Sequence, residues 1–245
     1  MSELPLDREA RARRVQKALL LAAGATIALY FIPFGYYVLY PLLLLATFAH
    51  EMGHGLAAMA VGSEFEDLRM WADGSGIARH RGAPNAFERA LIAAGGLLGP
   101  AVLAGLLFVI GRHAGLARAA LYIFGAGCLL AVALVVGNVF VLVFVGLVAA
   151  VCFFVAYKAA PFTNQVVVVF LAMQLSLSAF SHSDYLFMEF AHTAGGRLLS
   201  DTAQIADALG GAYWFWGAVV GLGSSAILIA GLWIFLQALR TSKHH

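Results

Sequence analysis

The sequence predicts an all-α polytopic membrane protein of about seven transmembrane helices, with a short interfacial β-hairpin after the second. Three observations predict it. Apolar residues make up 62% of the 245 and charged residues only 11%, whereas water-facing domains carry roughly a quarter charged. Mean hydropathy is +0.87. The charges gather at the two ends and in a few connecting stretches, and the runs between them reach the roughly 20 residues needed to cross the hydrocarbon of a bilayer. A net charge of +2 gives no footprint for nucleic acid. Cys128 and Cys152 both fall inside apolar runs, as small core residues do.

The elements follow in order. Residues 1–17 carry Arg8, Arg11, Arg13, Arg14 and Lys17, and the positive-inside tendency assigns this basic tail to the cytoplasm. Span one, 18–32, stops at Pro33-Phe34-Gly35, and span two, 36–61, contains Pro41. Tyr30, Tyr36, Tyr37 and Tyr40 cluster where an interfacial aromatic belt lies. Residues 63–86 are polar, with Asp73-Gly74-Ser75-Gly76 as a hairpin turn. Span three covers 87–110. The stretch 116–157 would be about 63 Å long as one helix, so it divides near Gly137-Asn138 into spans four and five. Span six covers 165–184, a polar loop occupies 191–210, and span seven covers 212–239. The range 18–239 reads as one membrane domain. A tail follows at 240–245, whose closing His244-His245 has the form of a tag remnant. Gly95-to-Gly99 and Gly217-to-Gly221 have the small-xxx-small spacing of close helix packing.

One motif carries chemistry: His50-Glu51-Met52-Gly53-His54. On a helix, residues i and i+4 share a face, so both imidazoles reach one metal ion. Glu51 between them serves as general base for an attacking water. Two imidazoles and a carboxylate suit Zn2+. Ionisable groups at membrane depth are costly and persist where they face a partner or a water-filled cavity.

The third ligand is open between two carboxylates. Asp184 closes span six in Ser181-His182-Ser183-Asp184. With seven spans, the second and sixth run in the same direction and approach the cytoplasmic side at compatible depths. Glu189 is the alternative, in a segment that also holds His182 and His192. Asp73 reads as a turn residue, and His80 and His113 as solvated loop residues beside arginines.

The stretch from Phe48 through His50-Glu51-Met52-Gly53-His54 to Ala58 resembles the site-2 protease family of intramembrane zinc metallopeptidases. It is most similar to the compact bacterial branch described as peptidase-M50B-like. Asp73-Gly74-Ser75-Gly76 and the Gly-rich Ala94-Gly95-Gly96-Leu97-Leu98-Gly99-Pro100 fit the same resemblance. It implies that His50, His54 and an aspartate from a later span bind zinc, that Glu51 is the base, and that the membrane is the bacterial inner membrane. The better-studied members carry an Asn-x-x-Pro…Asp-Gly arrangement, which this sequence lacks, since Tyr185 follows Asp184.

These readings predict a zinc-dependent endopeptidase that hydrolyses membrane-spanning substrates, with substrate helices and the lipid bilayer as its partners. Met70 and Trp71 flank the hairpin turn, where a hairpin edge can hold an unwound substrate by strand addition. Asn138 offers either a substrate-orienting amide or a turn cap. The alternative is a non-catalytic metal-binding membrane scaffold or partner-binding protein. Nothing in the sequence sets the oligomeric state.

Overall fold

The computed structural model describes residues 5–181, 183–193 and 196–240. It is mainly helical. The order is α1 (Pro5–Phe31), α2 (Gly35–Ala60), β1 (Glu64–Met70), β2 (Gly76–Arg81), α3 (Ala86–Gly111), α4 (Ala114–Val135), α5 (Val139–Lys158) and α6 (Pro161–Ser181). There follow the one-turn α7 (Ser183–Leu186), β3 (Phe190–Thr193), β4 (Gly196–Leu199), α8 (Asp201–Leu209) and α9 (Tyr213–Arg240).

Among the described residues, five helices are long and apolar enough to cross a membrane: α3, α4, α5, α6 and α9. The first two meet that test only as a pair, bent by 118° at their junction. The expectation of seven separate spans therefore becomes five, or six with the bent pair counted as one. The bend has a local cause. Pro33 ends α1, Phe34 adopts a left-handed backbone with φ 67°, and Gly35 follows where a Cβ would lie 1.9 Å from the Leu29 carbonyl oxygen. Only glycine permits that turn.

The bent pair reverses a prediction about direction. Arg11 of α1 reaches His113 at the α3–α4 connection at 2.7 Å. Gln165, near the start of α6, donates to the Gly111 carbonyl at 2.7 Å, and Phe235 near the end of α9 packs on Phe108. The basic start of α1, the end of α3, the start of α6 and the end of α9 thus share one end of the bundle. The end of α6 lies at the other, not beside the N-terminal tail as seven spans would require.

The packing seams follow the glycine pattern. A Cβ on Gly53 would come within 2.2 Å of the Gly95 carbonyl oxygen, and one on Gly99 within 2.5 Å of that of Ala49. Helices α2 and α3 therefore touch backbone to backbone, as small-xxx-small seams in membranes do. Gly217 plays the same part on α9, where a Cβ would meet the Leu186 carbonyl at 2.1 Å.

The β1–β2 hairpin forms where the turn residues place it, with Met70 opposite Gly76, Leu68 opposite Ala78 and a bulge near Glu66. Asp73 Oδ1 accepts from the Ser75 amide and hydroxyl, closing an Asx turn. The hairpin is bound to the start of α5. The Gly137 amide donates to the Leu68 carbonyl, and Asn138 Nδ2 donates to the Met70 carbonyl at 2.7 Å. Asn138 Oδ1 in turn accepts from the Val141 amide, capping α5.

The 191–210 segment, read as a polar loop, is structured. It holds the second hairpin, β3 with β4, and the helix α8, whose Ile205 is buried against Ala90, Ala93 and Val220 of α3 and α9. The tail 241–245 lies outside the described residues.

Candidate metal centre

The two histidines stand on one face of α2, one turn apart, as their spacing requires. His54 Nδ1 lies 2.8 Å from the Ile92 carbonyl oxygen. A carbonyl only accepts, so the proton sits on Nδ1, and Nε2 keeps its lone pair for a ligand. Gly96 makes room for this ring, because a Cβ there would stand 2.1 Å from Nε2. The His50 and His54 Nε2 atoms are 3.0 Å apart.

The carboxylate that meets them is that of Asp201. Its Oδ2 is 3.0 Å from His50 Nε2 and its Oδ1 3.4 Å from His54 Nε2. All ligand atoms of this trio lie within 4.8 Å of one another. Donors held about 2.0–2.1 Å from a tetrahedral zinc stand about 3.3 Å apart, so both the spacing and the donor set fit zinc.

Asp201 is placed by α8. Ser200 caps that helix by accepting from the Ala203 amide and anchors it by donating to the Met188 carbonyl at 2.5 Å. Asp201 occupies the first turn, where the helix dipole favours negative charge. The Tyr185 hydroxyl donates to Asp201 Oδ2 at 3.3 Å, and the Tyr185 ring stands edge-on to His50, centroids 6.2 Å apart.

Glu51 is 6% exposed and lies within electrostatic reach of His50, His54 and Asp201. Strand β2 lies against it. A Cβ on Gly76 would stand 2.7 Å from Glu51 Oε1, and the Ala78 backbone lies near the same carboxyl.

The chain matches the sequence model of peptidase M50B-like proteins over residues 20–231. It belongs to the peptidase M50B-like family. No curated protein and no solved structure matches it. Membership carries the implication of protease activity, and several long apolar helices make this M50B-like chain an integral membrane protein.

The other residues singled out from the sequence of this M50B-like chain are dispersed. The backbone of Asp184 is in α7, and its side chain lies outside the described residues. Glu189 is exposed ahead of β3. Met70 is fully buried against Leu44, Leu45 and Phe48, away from any open strand edge. Trp71 is half-buried at the hairpin turn. Both polar atoms of the Asn138 amide are engaged by the cap and by Met70. His113, read as solvated, is half-buried against Arg11. The residue the sequence reading passed over is Asp201, whose local signal is the Ser200-Asp201 helix start.

Proposed function

We propose that this chain is an intramembrane zinc metalloprotease, with His50, His54 and Asp201 as its metal ligands and Glu51 as its general base. The observation that carries the reading is the convergence of three ligand atoms, from α2 and α8, beside a buried glutamate. Zinc held there supplies Lewis acidity, polarising a scissile carbonyl and making a water acidic near neutral pH. The rest is the work of the chain. Glu51 accepts the proton of the attacking water and delivers it to the leaving amine. Ile92 fixes the tautomer of His54, and Tyr185 orients Asp201 through its hydroxyl.

The hairpin supports a route for substrate. Trp71 donates to the Ser75 carbonyl, so with the observed register Arg69 and Ile77 form the next hydrogen-bonded pair. The backbone groups of Gly76 and Ala78 then point outward from β2, on the side facing Glu51. The outer edge of β1 is occupied by Gly137 and Asn138. Substrate addition therefore belongs to β2, with Gly76 and Ala78 as the receiving backbone, and not to Met70. An unwound segment of a membrane-spanning helix is the substrate class that fits. With the basic tail on the cytoplasmic side of a bacterial inner membrane, the metal centre opens toward the opposite side. Ile92 and Gly111 are 19 residues apart on α3, about 28 Å.

The test is zinc per chain by elemental analysis beside cleavage of membrane proteins in cells, for wild type, Glu51→Gln and Asp201→Ala. About one zinc is expected in wild type and Glu51→Gln and little in Asp201→Ala, with fragments produced only by wild type. Cleavage by Glu51→Gln at the wild-type rate would sink the mechanism. Full zinc in wild type with no fragments would favour the scaffold reading.

A further inference from the structure

A cavity of about 220 Å³ opens between the first half of α2 and α6. Tyr36, Leu39, Tyr40 and Leu43 line it from α2, and Gln174 and Leu177 from α6. It is smaller than the roughly 300–1,000 Å³ of small-molecule sites and suits a single large side chain. Its wall is mainly apolar and aromatic. The Gln174 amide nitrogen is spent on the Thr26 hydroxyl at 2.7 Å, and the Tyr40 hydroxyl on the Ala72 carbonyl at 2.5 Å. The cavity is open to its surroundings, since Tyr36 is 66% and Leu177 41% exposed. Because α6 is long and apolar enough to cross a membrane, that opening faces the medium from which a membrane-spanning substrate arrives.

Two elements join the cavity to the candidate metal centre. The first is α2. Tyr36, Leu43 and His50 follow one another at intervals of seven residues on this helix, about two turns, so the cavity and the metal ligands share a face. The second is the β1–β2 hairpin. Gly74 at its turn lies against Leu43, where a Cβ would stand 2.8 Å from Leu43 Cδ2, and Thr47 donates to the Gly74 carbonyl at 2.8 Å. Gly76, which begins β2, lies against Glu51. The open edge of β2 therefore leads from the metal centre toward the cavity. The gap is short. Leu43 precedes Glu51 by eight residues on α2, about 12 Å along the axis, which an extended chain covers in roughly three or four residues.

Resting on the protease reading above, we propose that this cavity is the specificity pocket of the substrate site. It takes a large apolar side chain (leucine, isoleucine, methionine or phenylalanine) about three or four residues from the scissile bond. A segment added to the edge of β2 turns alternate side chains to one face, and one of them falls over the cavity. Strand addition of this kind draws affinity from backbone bonds and selectivity from side-chain pockets. Apolar residues are everywhere in a membrane-spanning substrate, so the pocket selects by size and position.

Cut sites are mapped by mass spectrometry of new protein N-termini in cells making the full chain, as wild type or Glu51→Gln. Wild-type cuts should show a large apolar residue at one fixed position, about three or four residues from the bond. Replacing that residue by alanine in a cleaved substrate should slow its cleavage about tenfold or more. Leu177→Trp narrows the cavity from its exposed rim. It should move the preference at that position alone to alanine or glycine, with zinc content unchanged. Leu147→Trp, exposed on α5, should change nothing. An absence of cuts that depend on Glu51 would remove the protease reading and the pocket with it. Cuts with no preference at that position would overturn the pocket and leave the protease reading standing. So would an unchanged preference in Leu177→Trp, and a lipid chain would then be the better occupant.

Discussion

Gly96 and Asp201 carry the sharpest consequences at the scale of single residues. A methyl group at Gly96 collides with the His54 ring, which is held by Ile92 on its other nitrogen and cannot swing away without losing that bond. Gly96→Ala should therefore weaken zinc binding by about 10–100-fold, the usual effect of disturbing the groups that orient a ligand, as a competing chelator would report. Asp201→Ala should lose the metal outright, and Asp184→Ala should keep it. Loss in the second variant alone would return the third ligand to α7. The two histidines and Glu51 were legible because a helix repeats every 3.6 residues, so spacing alone puts the imidazoles together. Asp201 was not, because its approach to them is set by how α8 docks on α3, which no local pattern encodes. A charged pair gives a pH signature. Asp67 accepts from Arg79 at 2.8 Å, and this bond, with the charges of Arg79 and Arg69, holds its carboxyl below the usual value. A depressed carboxylate stabilises the fold above its unfolded pKa of about 3.9 and loses that contribution as pH falls through the folded value. Asp67→Asn should thus lower the melting temperature at pH 7, and the difference should shrink as pH falls below the unfolded value of about 3.9.

Caps and turns decide the behaviour of the elements. Asn138 closes the first turn of α5 and holds the hairpin through Met70 with the same amide. Asn138→Ala should cost about 0.5–2 kcal/mol for the cap, read as a fall in thermal stability. Asn138→Asp, which keeps the acceptor and loses the donor, should recover the cap but not the hairpin bond. The β1–β2 hairpin was foreseen because Asp73-Gly74 carries its own turn chemistry. The α8 helix was missed because it is only nine residues long and lies among polar residues. Its clues were the Ser200 cap and one apolar side chain per turn, which are faint beside runs of 20 apolar residues. The buried Met70 marks a related limit. Strand alternation tells which residues share a face, but not which face the core will cover.

The two ends of the molecule carry their charges differently. Arg11, Arg14, Arg112, Arg118 and Lys158 lie at one end, while at the other the hairpin carboxylates of Glu66 and Asp67 are matched by Arg69, Arg79 and Arg81. Cysteines introduced at Lys158 and at Ala72, both exposed, should therefore react with an impermeant thiol reagent from opposite sides of the membrane. The native Cys128 and Cys152 are buried and should stay silent. Labelling of both from one side would collapse the arrangement. Composition foretold that the chain lives in a membrane, and hydropathy found its crossing helices. The count failed at the α1–α2 junction, because Pro33, Phe34 and Gly35 bend two helices into one crossing, and hydropathy registers apolar length but not direction.

The ligand trio also joins distant parts of the chain. His54 and Asp201 are separated by 147 positions, and between α2 and α8 run most of the bundle and both hairpins. A metal gripping both is a clasp across a long loop, and closing a long loop removes much of the freedom of the open chain. Stripping zinc with a chelator should therefore do more than silence the site. The short α7 to α8 region should become the first place a soluble protease cuts, and restoring the metal should shut it again.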